Sequence, residues 1–99
     1  MCEFKIVDKK IKNQLAEDVV LLSYSDGKKL LLKDILGLAN EAESALIYEV
    51  NTLDQTCTII QHPIVNPFIT LLEKINDDTV ELNDIEQFQS KLEELKNSL

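Results

Sequence analysis

The pattern of apolar residues in this 99-residue chain changes at Pro63. Before Pro63, short aliphatic and β-branched runs recur about every ten residues between polar links, which is typical of β-strands. After Pro63, apolar residues recur at steps of three and four, which is typical of amphipathic helices. The change predicts a small β-barrel domain over residues 1–62 and a helical extension over residues 63–99 that packs on it.

The first part of the chain predicts about five short strands, at residues 3–7, 17–24, 28–33, 45–50 and 57–61. Asp26 and Gly27 between the second and third runs indicate a hairpin, because glycine adopts a positive φ at little cost. Residues 34–44 contain Gly37 and Asn40 and predict a short helical turn or an apolar loop. The links are too short for parallel crossovers, so we expect an antiparallel meander or a small barrel.

Two helices are predicted after Pro63. Asn66 can cap the first helix, with Pro67 at its first position, where the missing N–H costs nothing. Asn83, followed three residues later by Glu86, is a capping-box signature for the second. Its apolar stripe is Ile85, Phe88, Leu92, Leu95 and Leu99. A stripe this narrow packs on its own domain or contacts a partner helix. The predicted fold class is α+β.

The charge of the chain disfavours nucleic-acid binding. The formal net charge is −8, and all ten basic residues are lysines. Arginine supplies the bidentate contacts common in nucleic-acid recognition, and an acidic chain is repelled by phosphate. The local cluster of Lys9, Lys10 and Lys12 is interpreted as a solvated turn or, as the less favoured alternative, a contact for a polyanion. No leader and no apolar run of about 18 residues is visible, which predicts a soluble cytoplasmic protein without a membrane partner.

Residue types that build most active sites are scarce. His62 is the only histidine, and the chain has two glycines, with no phosphate loop and no nucleophile motif. We interpret His62 as a solvent-facing residue at a strand end, with a site role as the alternative. The neighbouring acidic pairs are expected to be surface charges: Glu17/Asp18, Asp77/Asp78 and Glu93/Glu94. These features predict a protein that is not an enzyme.

The two cysteines have different expected roles. Cys57 opens an aliphatic strand, which predicts a buried structural thiol. Cys2 follows the start methionine, and we expect Met1 to be removed because cysteine is small. The exposed α-amine and thiol would then form a five-membered chelate, to which the next backbone amide can add a third donor. Such a set suits Ni(II) or Cu(II), while cobalt and zinc remain open. One chain supplies too few strong ligands, so the metal hypothesis requires two N-termini that meet in a dimer. The alternative is that Cys2 is an ordinary terminal residue.

Several segments resemble the small CooT-like family. They are Met1-Cys2-Glu3-Phe4-Lys5-Ile6-Val7, Ala16-Glu17-Asp18-Val19, Leu30-Leu31-Leu32-Lys33-Asp34-Ile35-Leu36-Gly37, and Glu49-Val50 leading to Cys57-Thr58-Ile59-Ile60. The resemblance covers about residues 1–62. It implies a small β-barrel, a homodimer, nickel bound through Cys2, and nickel supply for the maturation of carbon monoxide dehydrogenase. Residues 37–46 differ from the compact loop of the family, and residues 63–99 have no counterpart in its short members.

Two other functions stay open at this point. The C-terminal amphipathic helix is consistent with a non-catalytic module that binds another protein. Some CooT-like proteins are labelled as RNA-binding, a role that an acidic chain without arginine does little to support. The resemblance therefore favours a nickel-binding accessory protein, with a protein-interaction module as the alternative.

Overall fold

The computed structural model describes residues 3–26 and 29–99. Over these residues the chain forms six strands followed by two helices, which confirms the predicted α+β class. The elements are β1 (Phe4–Asp8), β2 (Gln14–Tyr24), β3 (Leu30–Asp34), β4 (Ala39–Ala42), β5 (Ala45–Asn51), β6 (Thr56–Gln61), α1 (Val65–Asn76) and α2 (Leu82–Asn97). By its internal contacts the chain divides into two compact units, Met1–His62 and Pro63–Leu99.

The strands form one sheet in the order β4-β3-β2-β1-β6-β5. Neighbours are antiparallel except β1 and β6, which run parallel from Lys5 beside Thr56 to Asp8 beside Ile59. The expected antiparallel meander is therefore corrected to a mixed sheet. The physical reason is that β1 and β6 are the first and the last strands of their unit in sequence. The short links between consecutive strands therefore do not restrict how these two strands pair.

A strand that the sequence did not predict lies within residues 34–44. The segment begins with a tight turn in which Asp34 Oδ1 accepts the backbone N–H groups of Leu36 and Leu38 at 2.9 and 3.0 Å. Gly37 has a φ of 86°, which the turn requires and glycine adopts readily. The chain then returns along β3 as β4, so the expected helical turn or loop is a turn and an edge strand.

The sheet is strongly curled but is not closed into a barrel. Its two edge strands, β4 and β5, are joined only by Glu43 and Ser44, so Ala42 and Ala45 lie within roughly 11 Å of each other. The Tyr24 hydroxyl donates a hydrogen bond to the Ala45 carbonyl at 3.0 Å, from the end of β2 to the start of β5. Among the described residues no ladder joins β4 to β5. The predicted barrel is thus an open, curled sheet.

The core of this unit lies inside the curl. Buried aliphatic and small side chains come from every strand and are Ile6, Val19, Leu30, Leu32, Ala42, Ala45, Cys57 and Ile59. Each fully buried Ile, Leu or Val side chain contributes about 1.5–3 kcal/mol through the hydrophobic effect. The core therefore joins the edge strands β4 and β5 to the strands between them.

Both helices begin slightly earlier than their cap signals predicted. The first has Ile64 at its N-cap, so Pro67 occupies the third helical position. This is tolerated because the first four N–H groups of a helix have no partner within the helix. The second has Glu81 at its N-cap, and the Asp84 carboxylate accepts the Glu81 backbone N–H at 2.9 Å. The predicted box of Asn83 and Glu86 is therefore shifted by two residues.

Candidate functional site

Cys2, the predicted metal ligand, lies outside the residues that the structure describes. The described chain begins at Glu3 and enters β1 at Phe4, which pairs with Val19 on β2. On the other side, the backbone N–H of Lys5 donates to the Gln55 carbonyl at 2.9 Å. The residue after Cys2 therefore leads directly into a strand that is hydrogen-bonded on both sides.

A bend in β2 lies beside the start of β1. Asp18 has a φ of 55°, in the left-handed region that Asp adopts more readily than most residues. The pairing of β2 changes partner here, because Val19 pairs with both Phe4 and Asp34. The Asp18 carbonyl accepts the backbone N–H of Ile35 at 3.0 Å. This end of β1 is thus bordered by the bend and by the β3–β4 turn.

The surface near this bend carries several exposed apolar side chains. They are Val20, Leu21, Ile35, Leu36 and Leu38, and they lie near the exposed charges of Glu17, Asp18 and Lys33. Leu36 is 81% exposed, which is a large exposure for a leucine on an ordered turn. Contiguous exposed apolar residues commonly mark surfaces that contact another protein.

His62 lies at the opposite end of the sheet, where the parallel strands β1 and β6 both finish. It is exposed, as predicted, and its backbone N–H donates to the Ser44 carbonyl at 3.0 Å. His62 is the sixth residue after Thr56, which pairs with Lys5 near the start of β1, so the two lie about 20 Å apart along this strand direction. Within one chain, His62 is therefore too far from the start of β1 to join a metal site there.

Lys9 and Lys10 of the basic cluster line an open groove of about 520 Å³ at this end of the sheet. The groove is lined by the β1–β2 loop and the end of β6, through Asp8, Lys9, Lys10, Ile11, Ile60, Gln61 and His62. The Lys9 ammonium lies 4.7 Å from the centre of the Tyr48 ring, a cation–π contact. Both interpretations of the cluster, solvated turn and anion contact, are compatible with this geometry.

The loop that carries these lysines is ordered by the buried carboxylate of Asp8. Its Oδ1 atom accepts the backbone N–H groups of Lys10 and Ile11 at 2.9 and 3.1 Å. Asp8 is 8% exposed, and these two bonds satisfy a group that would otherwise be costly to bury. Asp8 therefore has a structural role in the loop.

Cys57 is fully buried in the core and is a free thiol, as the sequence predicted. Burial raises its pKa, because the charged thiolate is disfavoured away from water. A thiol that stays protonated is a poor metal ligand and a poor nucleophile. Cys57 therefore belongs to the packing of the sheet.

Across residues 3–26 and 29–99, no three His, Cys, Asp or Glu side chains are grouped so that they could hold a metal ion. The neighbouring acidic pairs are exposed, as expected for surface charges: Glu17/Asp18, Asp77/Asp78 and Glu93/Glu94. No helix in the described part of the chain is both long and apolar enough to cross a membrane.

Comparison with solved structures supplies a likeness in fold. No protein-family model and no curated protein matches this chain. A solved structure assigned as CooT from Carboxydothermus hydrogenoformans superposes with a TM-score of 0.55 at 21% sequence identity. The match covers 62% of this chain and 98% of that protein. Nearly the whole of that protein is matched, and the remainder of this chain has no counterpart in it. The matched part of this chain has a CooT-like fold.

Proposed function

We propose that this protein is a nickel-binding accessory protein that works as a homodimer, with a metal site built from the Cys2 residues of two copies. The observation that carries the proposal is the CooT-like fold combined with a cysteine placed two residues before the central strand β1. The two N-terminal residues are thereby attached to a hydrogen-bonded strand.

The chemistry of the donors supports Cys2 over the other candidates. A terminal amine and thiolate on one residue form a chelate that suits square-planar Ni(II), and thiolates bind soft metals well. Within the described residues, Cys57 is buried and His62 is remote from the start of β1. Because no further cluster of ligands lies in the described part of one chain, the remaining donors are proposed to come from a second copy.

The exposed apolar residues at the bend of β2 support a meeting of two copies at this end of the sheet. An apolar border would exclude water around a shared thiolate site. The proposed role is delivery of nickel to a client enzyme, of which carbon monoxide dehydrogenase is the example implied by the resemblance. The protein itself is proposed to be non-catalytic.

The test is nickel titration of untagged protein whose loss of Met1 has been verified by intact mass. We expect one Ni(II) ion per pair of chains, with thiolate-to-nickel absorption, and loss of this binding in Cys2→Ser. The matched control is Cys57→Ala, which removes the other thiol without burying a new hydroxyl. Equal nickel binding by Cys2→Ser and the unmodified protein would rule out the site.

A form that retains a residue before Cys2 distinguishes the contribution of the α-amine to nickel binding from that of the thiol. It keeps the thiol but removes the free amine from the chelate. We expect it to bind Ni(II) more weakly than the form that begins at Cys2. Unchanged affinity would show that the amine is not a ligand.

A second candidate function is a module that binds another protein through the C-terminal helices. The observation that favours it is that α2, although 16 residues long and amphipathic, has no buried residue. RNA binding is not favoured, because the net charge of −8 opposes contact with phosphate.

A further inference from the structure

The groove at the ends of β1 and β6 carries positive charge in a chain that is acidic overall. Lys9 and Lys10 line it, and Lys12 follows in the same β1–β2 loop. Within residues 3–26 and 29–99, none of these lysines belongs to an ion pair, whereas three other lysines do. The Lys9 ammonium lies over the ring of Tyr48 instead. The loop therefore presents cationic groups that carboxylates of the same described chain do not pair with.

Hydrogen bonds hold this loop in one shape. The Asp8 Oδ1 atom accepts the backbone N–H groups of Lys10 and Ile11, which partly offset the charge of the carboxylate. The backbone N–H of Lys12 donates to the Asp8 carbonyl at 2.8 Å, and the Asp8 N–H donates to the Asn13 carbonyl at 3.0 Å. Because the backbone is already ordered, binding a ligand here costs little further loss of conformational entropy.

The backbone of Gln61 faces the same groove. On one side of β6, the Ile59 carbonyl accepts the N–H of Lys9 at 2.9 Å; on the other side, the His62 N–H donates to the Ser44 carbonyl at 3.0 Å. Successive residues of a strand direct their backbone groups to opposite sides, so the Gln61 N–H and C=O point to the side of β1. There β1 has already ended, and within the described residues no backbone hydrogen bond joins Gln61 to the loop. One residue of the sheet is therefore open to a further strand.

We propose that this groove binds an acidic segment of another protein in an extended conformation. The backbone of the segment hydrogen-bonds to Gln61 in the space that β1 leaves, which is recognition by strand addition. Its carboxylates pair with Lys9 and Lys10. Apolar side chains between the carboxylates contact Ile11 and Ile60, which line the groove. Ile11 is 65% exposed, so this contact removes apolar surface from water.

A peptide fits these features better than a nucleic acid does. Only a peptide backbone supplies both a donor and an acceptor at the spacing of the Gln61 C=O and N–H groups. A short peptide within the groove is also screened from the distant carboxylates of the chain, because the Debye length is about 8 Å at physiological salt. A longer polyanion extends beyond the lysines and meets the acidic remainder of the protein. The groove is remote from the start of β1, so peptide binding does not depend on the proposed metal site.

The test is fluorescence anisotropy of a short labelled peptide in which glutamate alternates with valine, titrated with the full-length protein in buffer with a metal chelator. We expect binding that Lys10→Gln weakens by up to about fivefold, the upper range for an exposed ion pair, and that Lys9→Gln/Lys10→Gln weakens further. The matched control is Lys33→Gln, which removes the same charge from an exposed position on β3 and should leave the affinity unchanged.

The peptide has a matched control of its own, in which glutamine replaces glutamate, and we expect it to bind more weakly than the acidic peptide. Absence of binding of the acidic peptide to the unmodified protein would overturn the proposal. So would an affinity that is unchanged in Lys9→Gln/Lys10→Gln, or equal losses in Lys10→Gln and Lys33→Gln. Tighter binding of a single-stranded oligonucleotide than of the acidic peptide would identify a nucleic acid as the occupant instead.

A second pair of variants tests the contact with the backbone. Gln61→Pro removes the N–H that faces the groove without removing a ladder bond to β5. Gln61→Ala removes the side chain but keeps the N–H. We expect Gln61→Pro to bind the acidic peptide several-fold more weakly than Gln61→Ala does. Equal affinities in the two variants would contradict the strand addition. If circular dichroism shows that Gln61→Pro is unfolded, the lysine variants decide the outcome.

Discussion

Asp18 shows how one residue redirects a strand. The run from residue 17 to 24 reads as an ordinary strand, and Asp is not an expected residue in its interior. In the structure, the positive φ of Asp18 allows the first half of β2 to pair with β1 and the second half with β3. The aliphatic pattern predicted that this segment is extended, but not where it bends, because the bend depends on which strands lie on either side.

The burial of Cys57 makes a testable difference between the two thiols. In the Cys2→Ser variant, we expect Cys57 not to react with a disulfide reagent at neutral pH while the protein is folded. The reason is that burial both blocks access and raises the thiol pKa, so little thiolate is present. Denaturant should expose it to full reaction. Rapid reaction of Cys57 in the native protein would contradict its position in the core.

At the scale of elements, Asp84 determines where α2 begins. Its carboxylate accepts the Glu81 backbone N–H and also contacts Lys74 on α1. Both the observed pair Glu81/Asp84 and the predicted pair Asn83/Glu86 have the spacing of a capping box. The added contact with Lys74 favours the first pair, and that contact exists only once α1 and α2 are antiparallel.

The same contacts predict a pH dependence for the hairpin. The hydrogen bond from Lys74, and then that from the Glu81 backbone, lower the pKa of Asp84. A carboxylate with a lowered pKa stabilises the folded state above its unfolded pKa of about 3.9, and this contribution is lost as the pH falls through the lower folded value. We therefore expect helicity, followed by circular dichroism, to decrease as the pH falls below about 4.

The variant that tests this is Asp84→Asn, with Glu93→Gln as the control on an exposed face of α2. Asp84→Asn should lower stability at neutral pH and reduce the loss of stability on acidification. Glu93→Gln should leave both close to those of the unmodified protein. An acid transition that is unchanged in Asp84→Asn would show that another group governs it.

The strand β4 was not predicted because its own residues do not indicate a strand. Its sequence, Ala39–Ala42, is short and contains Asn40 and Glu41, so it has neither the β-branched residues nor the alternation that indicate a strand. It is held by its ladder with β3, from Leu30 beside Ala42 to Lys33 beside Ala39. Edge strands of this kind are specified by their partner more than by their own composition.

At the scale of the molecule, the curl of the sheet depends on contacts between distant strands. The hydrogen bond from the Tyr24 hydroxyl to the Ala45 carbonyl joins β2 to β5 across the opening of the curl. The two-residue link between β4 and β5 draws together the same edges. The curl in turn encloses the core, to which every strand contributes.

Removing that hydroxyl should weaken the curled sheet. We expect Tyr24→Phe to lower the free energy of unfolding by about 1 kcal/mol, the usual net contribution of one hydrogen bond. Chemical denaturation measures the change. Tyr48→Phe is the matched control, because Tyr48 is 58% exposed and its ring still offers a face to Lys9. Equal effects of the two substitutions would mean that the Tyr24 bond does not stabilise the sheet.

The sequence by itself determined the α+β class, the change from strands to helices at Pro63, the burial of Cys57 and the exposure of His62. These properties follow from local periodicity and from the transfer of apolar side chains out of water, both of which can be read along the chain. The parallel pairing of β1 with β6, the open curl, the bend at Asp18 and the start of α2 were decided only by the tertiary structure. Each depends on contacts between residues far apart in sequence, which no local pattern records. The proposed role of Cys2 draws on both levels: the residue is visible in the sequence, and the central position of the strand that follows it, β1, comes from the fold.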